Sequence, residues 1–150
     1  MIPQFVLPPV AGLLILLLLS VDGFAGYERQ RKDVQDCPSS PNCVSSLSKD
    51  SRHLIDPLHF KDSSNEAFEC LKQIVKDEKR STIITEERDY VHAEFRTLLG
   101  FVDDVEFSLD HENRVIHMRS ASRVGYWDLG VNRRRLEEMR SRFLKECSKL

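Results

Sequence analysis

The sequence VDDVEFSLDHENRVIHMRSA, residues 102–121, contains two runs of alternating apolar and polar side chains that are separated by a turn. Apolar side chains take every second position in 105–109, and in 115–121 Ile116 and Met118 alternate with His117 and Arg119. Residues 110–113, between the runs, are of types that favour turns. When apolar and polar side chains alternate along a strand, one face of the strand is buried and the other is exposed to solvent. The stretch therefore predicts an antiparallel hairpin with one face in the core.

Two further strands and a helix precede this hairpin in the chain. Residues 81–86 and 90–96 are predicted strands, and their short links are typical of antiparallel hairpins. Ser63 and Glu66 have the spacing of a capping box, and an apolar stripe at helical spacing follows them. We therefore predict a helix over about 66–79, followed by four consecutive strands.

A second helix is predicted near the C-terminal end. Leu136, Met139, Phe143 and Cys147 are spaced by three or four residues, which places them on one helical face. This stripe is predicted to pack on the apolar face of the sheet beside the first helix. The elements together predict an α+β domain in the order α-β-β-β-β-α. It has a four-stranded antiparallel sheet with two helices on one face, preceded by a Cys/Pro/Ser-rich arm.

The first 25 residues differ in composition from the rest of the chain. Residues 1–21 carry no charged side chain, and the apolar run 5–21 is about as long as the shortest helices that span a bilayer. Gly23 and Ala25 fit the small-residue positions of a signal-peptidase site. We predict that residues 1–25 are a signal peptide and that the protein is exported to the periplasm or the extracellular space.

An uncleaved N-terminal membrane anchor is the alternative for the same segment. The residues before the apolar run contain no Lys or Arg, whereas Arg29, Arg31 and Lys32 follow it. Positive charges after an apolar run favour retention of that side in the cytoplasm. Residues 1–25 would then associate the protein with a membrane. Under either hypothesis the polar residues 26–36 are predicted to be a linker.

The overall composition is that of one globular domain with a nearly balanced charge. A length of 150 residues favours a single domain, and 41% apolar with 31% charged residues is an ordinary soluble balance. The 22 basic and 24 acidic residues give a net charge of −2. Nucleic-acid-binding domains need a basic surplus, so nucleic acid is not an expected partner.

The four cysteines favour disulfide bonds, because their number is even and they follow a predicted export signal. Cys37 and Cys43 flank a turn with two prolines, so a local bridge between them fits. Cys70 and Cys147 fall on the two predicted helices and could join them. Three pairings are open to four cysteines, and free thiols are expected instead if the chain stays in the cytoplasm. Neither CxxC nor closely spaced His pairs are present, so we expect no metal and no cofactor.

The segment that holds the first two cysteines, 37–62, is rich in Ser, Pro, Asp and His and has few periodic apolar positions. We interpret it as an ordered arm that the cysteines tie to the domain. A disordered tail is the alternative for a segment of this composition.

The segment RSASRVGYWDLGVNRRR, residues 119–135, is the strongest candidate for a binding site. Two glycines punctuate a loop that leads into the second predicted helix. Such loops present backbone N–H groups to anions at the helix start, and arginines add charge-assisted hydrogen bonds. The predicted binding residues are Arg119, Ser120, Ser122, Arg123, Gly125, Asp128, Asn132 and Arg133.

The same arginines also have carboxylates available within the chain. Asp103 and Asp104 are candidates for internal ion pairs, and so is Asp128. Glu137 and Glu138 stand four residues after Arg133 and Arg134. An internal Arg/Asp network is therefore the structural alternative to a ligand site.

A second candidate site lies on the polar face of the predicted sheet. Alternation places six polar side chains there: His92, Glu94, Asp104, Glu106, His117 and Arg119. Histidines and carboxylates together suit acid–base chemistry or metal binding. The alternative is a solvated face with cross-strand ion pairs. Neither G-x-S-x-G nor a phosphate-binding loop motif is present, so the sequence indicates no specific enzyme.

Three stretches resemble the signatures of the DUF1499 family. These are CPSSPNCVSS at 37–46, GFVDDVEF at 100–107 and RSASRVGYWDLGVNRRR at 119–135. The resemblance implies one domain over 37–147. It also implies export, since family members often follow export or lipoprotein signals, although this chain lacks a lipoprotein cysteine near its apolar run. The family is one of unknown function, so the resemblance implies no activity or catalytic residue.

Three functions are carried forward as hypotheses. The first is an exported, non-catalytic binding or scaffold module that takes a small anionic ligand or a protein partner on its arginine-rich loop. The second is a hydrolase or metal-dependent enzyme that uses His92, Glu94 or His117. The third is a structural accessory of an envelope or membrane complex, with the arm 37–62 as its contact.

Overall fold

The computed structural model describes residues 32–61 and 63–147. The predicted targeting segment 1–25 and the first six residues of the predicted linker lie outside the described residues. No helix in the described ranges is long and apolar enough to cross a membrane. The elements in chain order are β1 (Cys43–Ser45), β2 (Leu58–His59), α1 (Ser64–Asp77), β3 (Ser81–Glu86), β4 (Tyr90–Arg96), β5 (Val102–Asp110), β6 (Val115–Ser122) and α2 (Val131–Glu146).

One antiparallel sheet carries all six described strands. Strands β3 to β6 pair consecutively, as predicted, and β5 and β6 stay in register from Asp103↔Ser122 to Asp110↔Val115. Two strands of the arm then pair with the free edge of β6, which gives the order β1-β6-β5-β4-β3 with β2 also on β6. The prediction of four strands was incomplete, because strands of three and two residues are too short to show an alternating pattern.

The arm is ordered across its described residues and forms part of the core. Val44, Ile55, Leu58 and Phe60 are at most 8% exposed and belong to the same apolar cluster as the helices. Burial of four such side chains outweighs the polar composition of the segment, because each contributes about 1.5–3 kcal/mol. The alternative of a disordered tail does not hold for these residues.

Both helices contribute their apolar stripes to this single core. Helix α1 begins after Ser63, whose side chain accepts a hydrogen bond from the Glu66 N–H as the capping box predicts. Leu136, Met139 and Phe143 of α2 are at most 1% exposed. The helices contact each other and pack with the apolar side chains of β4, β5 and β6.

Two disulfides join the cysteines as the sequence favoured. Cys37 pairs with Cys43 across a separation of six residues, and Cys70 pairs with Cys147 across 77 residues. The second bridge links α1 to the end of α2. Disulfides of this kind persist in oxidising compartments, so the two bridges favour an extracytoplasmic setting.

Candidate functional site

A buried polar network joins the start of α2 to the sheet. Asn132 is fully buried, and its Oδ1 accepts hydrogen bonds from Ser120 Oγ at 2.6 Å and from Arg135 at 2.9 Å. Arg135 also donates to the carboxylate of Asp103 at 2.6 Å, and its guanidinium lies 4.9 Å from the ring centre of Phe95. Asp103 and Ser120 are 1% and 0% exposed. These groups satisfy one another inside the core, so Ser120 and Asn132 hold the fold together and do not face a ligand.

The same network ties the loop before α2 to the arm. The side-chain amide of Asn132 donates to the Asn42 carbonyl oxygen at 3.0 Å and to Ser122 Oγ at 3.0 Å. Asn42 in turn donates to the carbonyl oxygen of Gly125 at 2.6 Å. Gly125 has a φ of +87°, a conformation that a residue with a Cβ adopts only with strain. Ser122 and Gly125 therefore position the loop and the arm against each other.

Asp128 occupies the position at the start of α2 where we expected an anion. The backbone N–H groups of Gly130 and Asn132 both donate to its carboxylate at 2.9 Å. Gly130 is the N-cap residue and has no side chain with which to cap the helix. The anion at this helix start is thus the chain's own carboxylate.

Arg119 and Arg123 lie on the polar face of the sheet, where carboxylates surround them. Arg123 makes two hydrogen bonds to Asp104, at 2.8 and 2.7 Å, and lies 2.6 Å from a Glu94 oxygen. Arg119 donates to Glu106 at 2.7 Å. The hydrogen bonds that Arg123 donates to Asp104 and Glu94 raise its pKa. For these two arginines the structure therefore shows internal ion pairs.

Histidine and tyrosine side chains complete the ion-paired polar face. His92 Nε2 lies 2.7 Å from Asp104, and Tyr90 donates to Glu106 at 2.6 Å. Burial by itself would raise the pKa of Asp104, but the hydrogen bonds from Arg123 and His92 outweigh it and bring the pKa below its usual value. Among the described residues, no three His, Cys, Asp or Glu side chains are placed to hold a metal ion.

A Ser–His contact lies at one end of the polar face. Ser46 Oγ is 3.1 Å from His117 Nδ1 and accepts a hydrogen bond from the Met118 N–H at 3.0 Å. His117 Nε2 is 3.8 Å from the nearest Asp110 carboxylate oxygen, beyond hydrogen-bond distance. His117 also lines a cleft of about 420 Å³. On the polar face, this pair comes nearest to the arrangement of a serine nucleophile and a histidine base.

Arg133 lies in a different place, in a cleft of about 370 Å³ between the arm and the start of α2. We call it the arginine cleft and define it by Arg52, His53, Tyr126, Trp127, Arg133 and Arg134. Its rim is aromatic, because Tyr126 and Trp127 are each 73% exposed. Of the eight predicted binding residues, Asp128 and Arg133 line this cleft.

The two arginines of α2 in this cleft bind backbone carbonyls. Arg133 donates to the carbonyl oxygens of Leu54 and Arg52, both at 2.9 Å, and Arg134 donates to that of Leu129 at 2.9 Å. Within the described ranges neither guanidinium lies within 4 Å of a carboxylate. The pairs expected from the i+4 spacing are not seen among these residues, and Glu137 instead contacts Arg140 at 2.9 Å. The cleft therefore keeps an excess of positive charge.

The predicted site omitted residues that only the tertiary structure brings together. Arg52 and His53 come from the arm, about 80 positions before Arg133, and no local pattern connects them to the loop. Asn42 stands inside the CPSSPNC motif, and Arg134 inside the arginine run. Their positions in these motifs could have added Asn42 and Arg134 to the predicted site.

The comparisons with known proteins point to one family. Searches among curated proteins and among solved structures returned no significant match to the chain. A family model described as "Protein of unknown function (DUF1499)" matches residues 33–143, which include both the buried network and the arginine cleft. Since this match covers most of the chain, the protein belongs to the DUF1499 family.

Proposed function

We propose that the domain is a non-catalytic binding module and that the arginine cleft takes an anionic ligand with a flat apolar group. One observation carries the proposal: two guanidinium groups without a carboxylate partner among the described residues stand beside two exposed aromatic rings. Arg119, Arg123 and Arg135, by contrast, are each paired with a carboxylate.

The chemistry of the cleft suits a phosphate or carboxylate. A guanidinium has five N–H donors in a planar fork that matches both groups. Arg134 uses one of them on Leu129, so most of its donors remain for a ligand. Tyr126 and Trp127 offer faces for stacking, and exposed aromatic rings contribute both apolar area and cation–π contacts. An aryl or heterocyclic phosphate combines the two features.

Replacement of Arg134 by Gln should abolish ligand binding without unfolding the domain. The probes are inorganic phosphate and phenyl phosphate, and the measurement is the melting temperature of the oxidised protein. A ligand at about 100 times its Kd adds about 2.7 kcal/mol, which raises the Tm of a domain of this size by several degrees. Phenyl phosphate should bind more tightly than inorganic phosphate, because its ring can stack on Trp127.

The matched control is Arg123→Gln, which removes a guanidinium on the polar face of the sheet. This variant should keep the ligand-induced shift. A shift that survives Arg134→Gln, or that Arg123→Gln removes, would contradict the assignment to the cleft. The absence of any shift with either probe would contradict the proposed function itself.

A hydrolase is a second candidate, and the contact between Ser46 and His117 favours it. A histidine within hydrogen-bond distance can remove the serine proton and so activate the hydroxyl. This candidate predicts that a fluorophosphonate probe labels Ser46 and that His117→Ala prevents the labelling. Labelling can be located by mass spectrometry, with Ser108→Ala as a control on the same face. An unlabelled Ser46 would remove this candidate.

A further inference from the structure

The end of the sheet beside the arginine cleft carries a concentration of exposed apolar side chains. Seven of the eleven large apolar side chains exposed among the described residues lie there: Leu98, Leu99, Phe101, Val124, Tyr126, Trp127 and Leu129. They come from two loops, 98–101 and 124–129, which we call the apolar tip. The loops face each other across a cleft of about 250 Å³. Monomeric soluble proteins seldom expose such a patch unless something binds it.

The first of these loops is an unusual place for leucines. Thr97 and Phe101 are joined by a backbone hydrogen bond of 2.8 Å, and Gly100 closes the turn with a φ of +86°. The turn points Leu98 and Leu99 away from the domain, where they are 85% and 84% exposed. Turns that face water are normally built from Gly, Asn, Asp, Pro and Ser. The geometry of this turn does not require leucine, so its apolar surface needs another explanation.

The second loop connects the apolar tip to the positive charge of the arginine cleft. Trp127 lines both the cleft of the tip and the arginine cleft. Asp128 is the one acidic residue in either loop, and its carboxylate accepts hydrogen bonds from the N–H groups at the start of α2. Arg133 and Arg134 follow directly in α2. The tip therefore presents apolar side chains with two arginines beside them, and its one carboxylate is bound to the start of α2.

We propose that the apolar tip inserts into the interface of an anionic lipid bilayer. Leu98, Leu99 and Trp127 would enter the boundary between headgroups and acyl chains, where apolar side chains and tryptophan are stabilised. The arginines beside them would bind lipid phosphates, and this half of the contact rests on the proposed function of the arginine cleft. Charge complementarity favours a bilayer over a neutral apolar partner, because a bilayer offers acyl chains and phosphates side by side.

The chain contains its own reporter for this contact. Trp127 is the one tryptophan in the sequence, so its fluorescence reports on the tip alone, whatever residues 1–25 do. The full chain is mixed with vesicles of phosphatidylcholine, or of phosphatidylcholine with phosphatidylglycerol. We expect a blue shift of the Trp127 emission with the anionic vesicles and quenching by lipids brominated near the headgroup end of the acyl chains.

Two sets of variants separate the apolar and the charged halves of the contact. Leu98→Asp combined with Leu99→Asp should raise about a hundredfold the lipid concentration that gives half of the Trp127 emission shift, since each change removes a side chain worth about tenfold or more. Ile84→Asp is the matched control, because Ile84 is 50% exposed on β3, outside the tip. Arg133→Gln with Arg134→Gln should weaken binding to anionic vesicles and reduce its dependence on salt.

Three results would overturn the proposal. The first is Trp127 emission that stays unchanged with anionic vesicles, which would leave a protein partner as the occupant of the tip. The second is an equal shift with neutral vesicles, and the third is an unchanged Trp127 emission shift in the double aspartate variant. If phenyl phosphate binds to the cleft while Trp127 stays in water, the proposed function stands and membrane insertion fails. If the tip inserts but no soluble phosphate binds to the cleft, membrane insertion stands and the proposed function fails.

Discussion

Replacement of Cys70 and Cys147 by alanine should lower the free energy of unfolding by about 4 kcal/mol, which is a large part of the 5–15 kcal/mol typical of a domain. The bridge spans 77 residues and so removes much of the freedom of the unfolded chain. It also ties α1 to the end of α2, where Cys147 is 1% exposed. The measurement is the urea midpoint and slope of the oxidised protein and of the variant.

The other bridge provides a matched comparison. Cys37 and Cys43 are six positions apart, so in the chain-entropy description their replacement by alanine should lower the free energy of unfolding by only about 2 kcal/mol. The two double variants remove the same atoms and differ in the length of chain that is closed. Equal losses in the two variants would contradict this explanation and would point to local packing around each bridge.

The second large effect is expected at the buried ion pair between Asp103 and Arg135. Removal of one partner from a buried pair leaves a charge without compensation, which destabilises a protein by about 3–5 kcal/mol. We expect a loss of this size in Asp103→Ala, because the Asp103 side chain is 2% exposed and Arg135 is 13% exposed. Equilibrium unfolding in urea measures it.

A double variant tests whether the loss comes from the isolated charge. Asp103→Val combined with Arg135→Met replaces both partners by apolar groups of similar size and should recover much of the stability. Arg123→Ala is the surface control and should leave the urea midpoint almost unchanged, because exposed ion pairs contribute little. If Arg123→Ala were as damaging as Asp103→Ala, the stabilising network would lie on the polar face instead.

The four-stranded meander could be predicted because its strands are long enough to alternate clearly. Val105, Phe107 and Leu109 of β5 and Ile116 and Met118 of β6 recur every second residue, and the structure pairs the two strands as expected. The arm strands β1 and β2 could not be predicted in this way. They exist because the edge of β6 offers backbone partners and because Cys37–Cys43 holds the chain nearby, and neither cause is visible in a local pattern.

The arginines of the segment predicted to bind a ligand separate in space. Arg119 and Ser120 are neighbours on β6, yet alternation turns Arg119 to the polar face and Ser120 to the core. Arg133 lies beyond the loop and meets Arg52 of the arm. Which carboxylate pairs with which arginine depends on distances across the sheet, so no spacing in the sequence could assign it.

The position of the Cys37–Cys43 bridge makes the shape of the arginine cleft depend on the oxidation state of these two cysteines. Cys43 and two residues of the bridged loop, Ser39 and Pro41, line the arginine cleft. A newly made chain in a reducing compartment lacks this bridge. We then expect the 37–43 loop, which forms one wall of the cleft, not to be held in place. If the cleft binds phosphates as proposed, the Cys37–Cys43 bridge would have to form before binding begins.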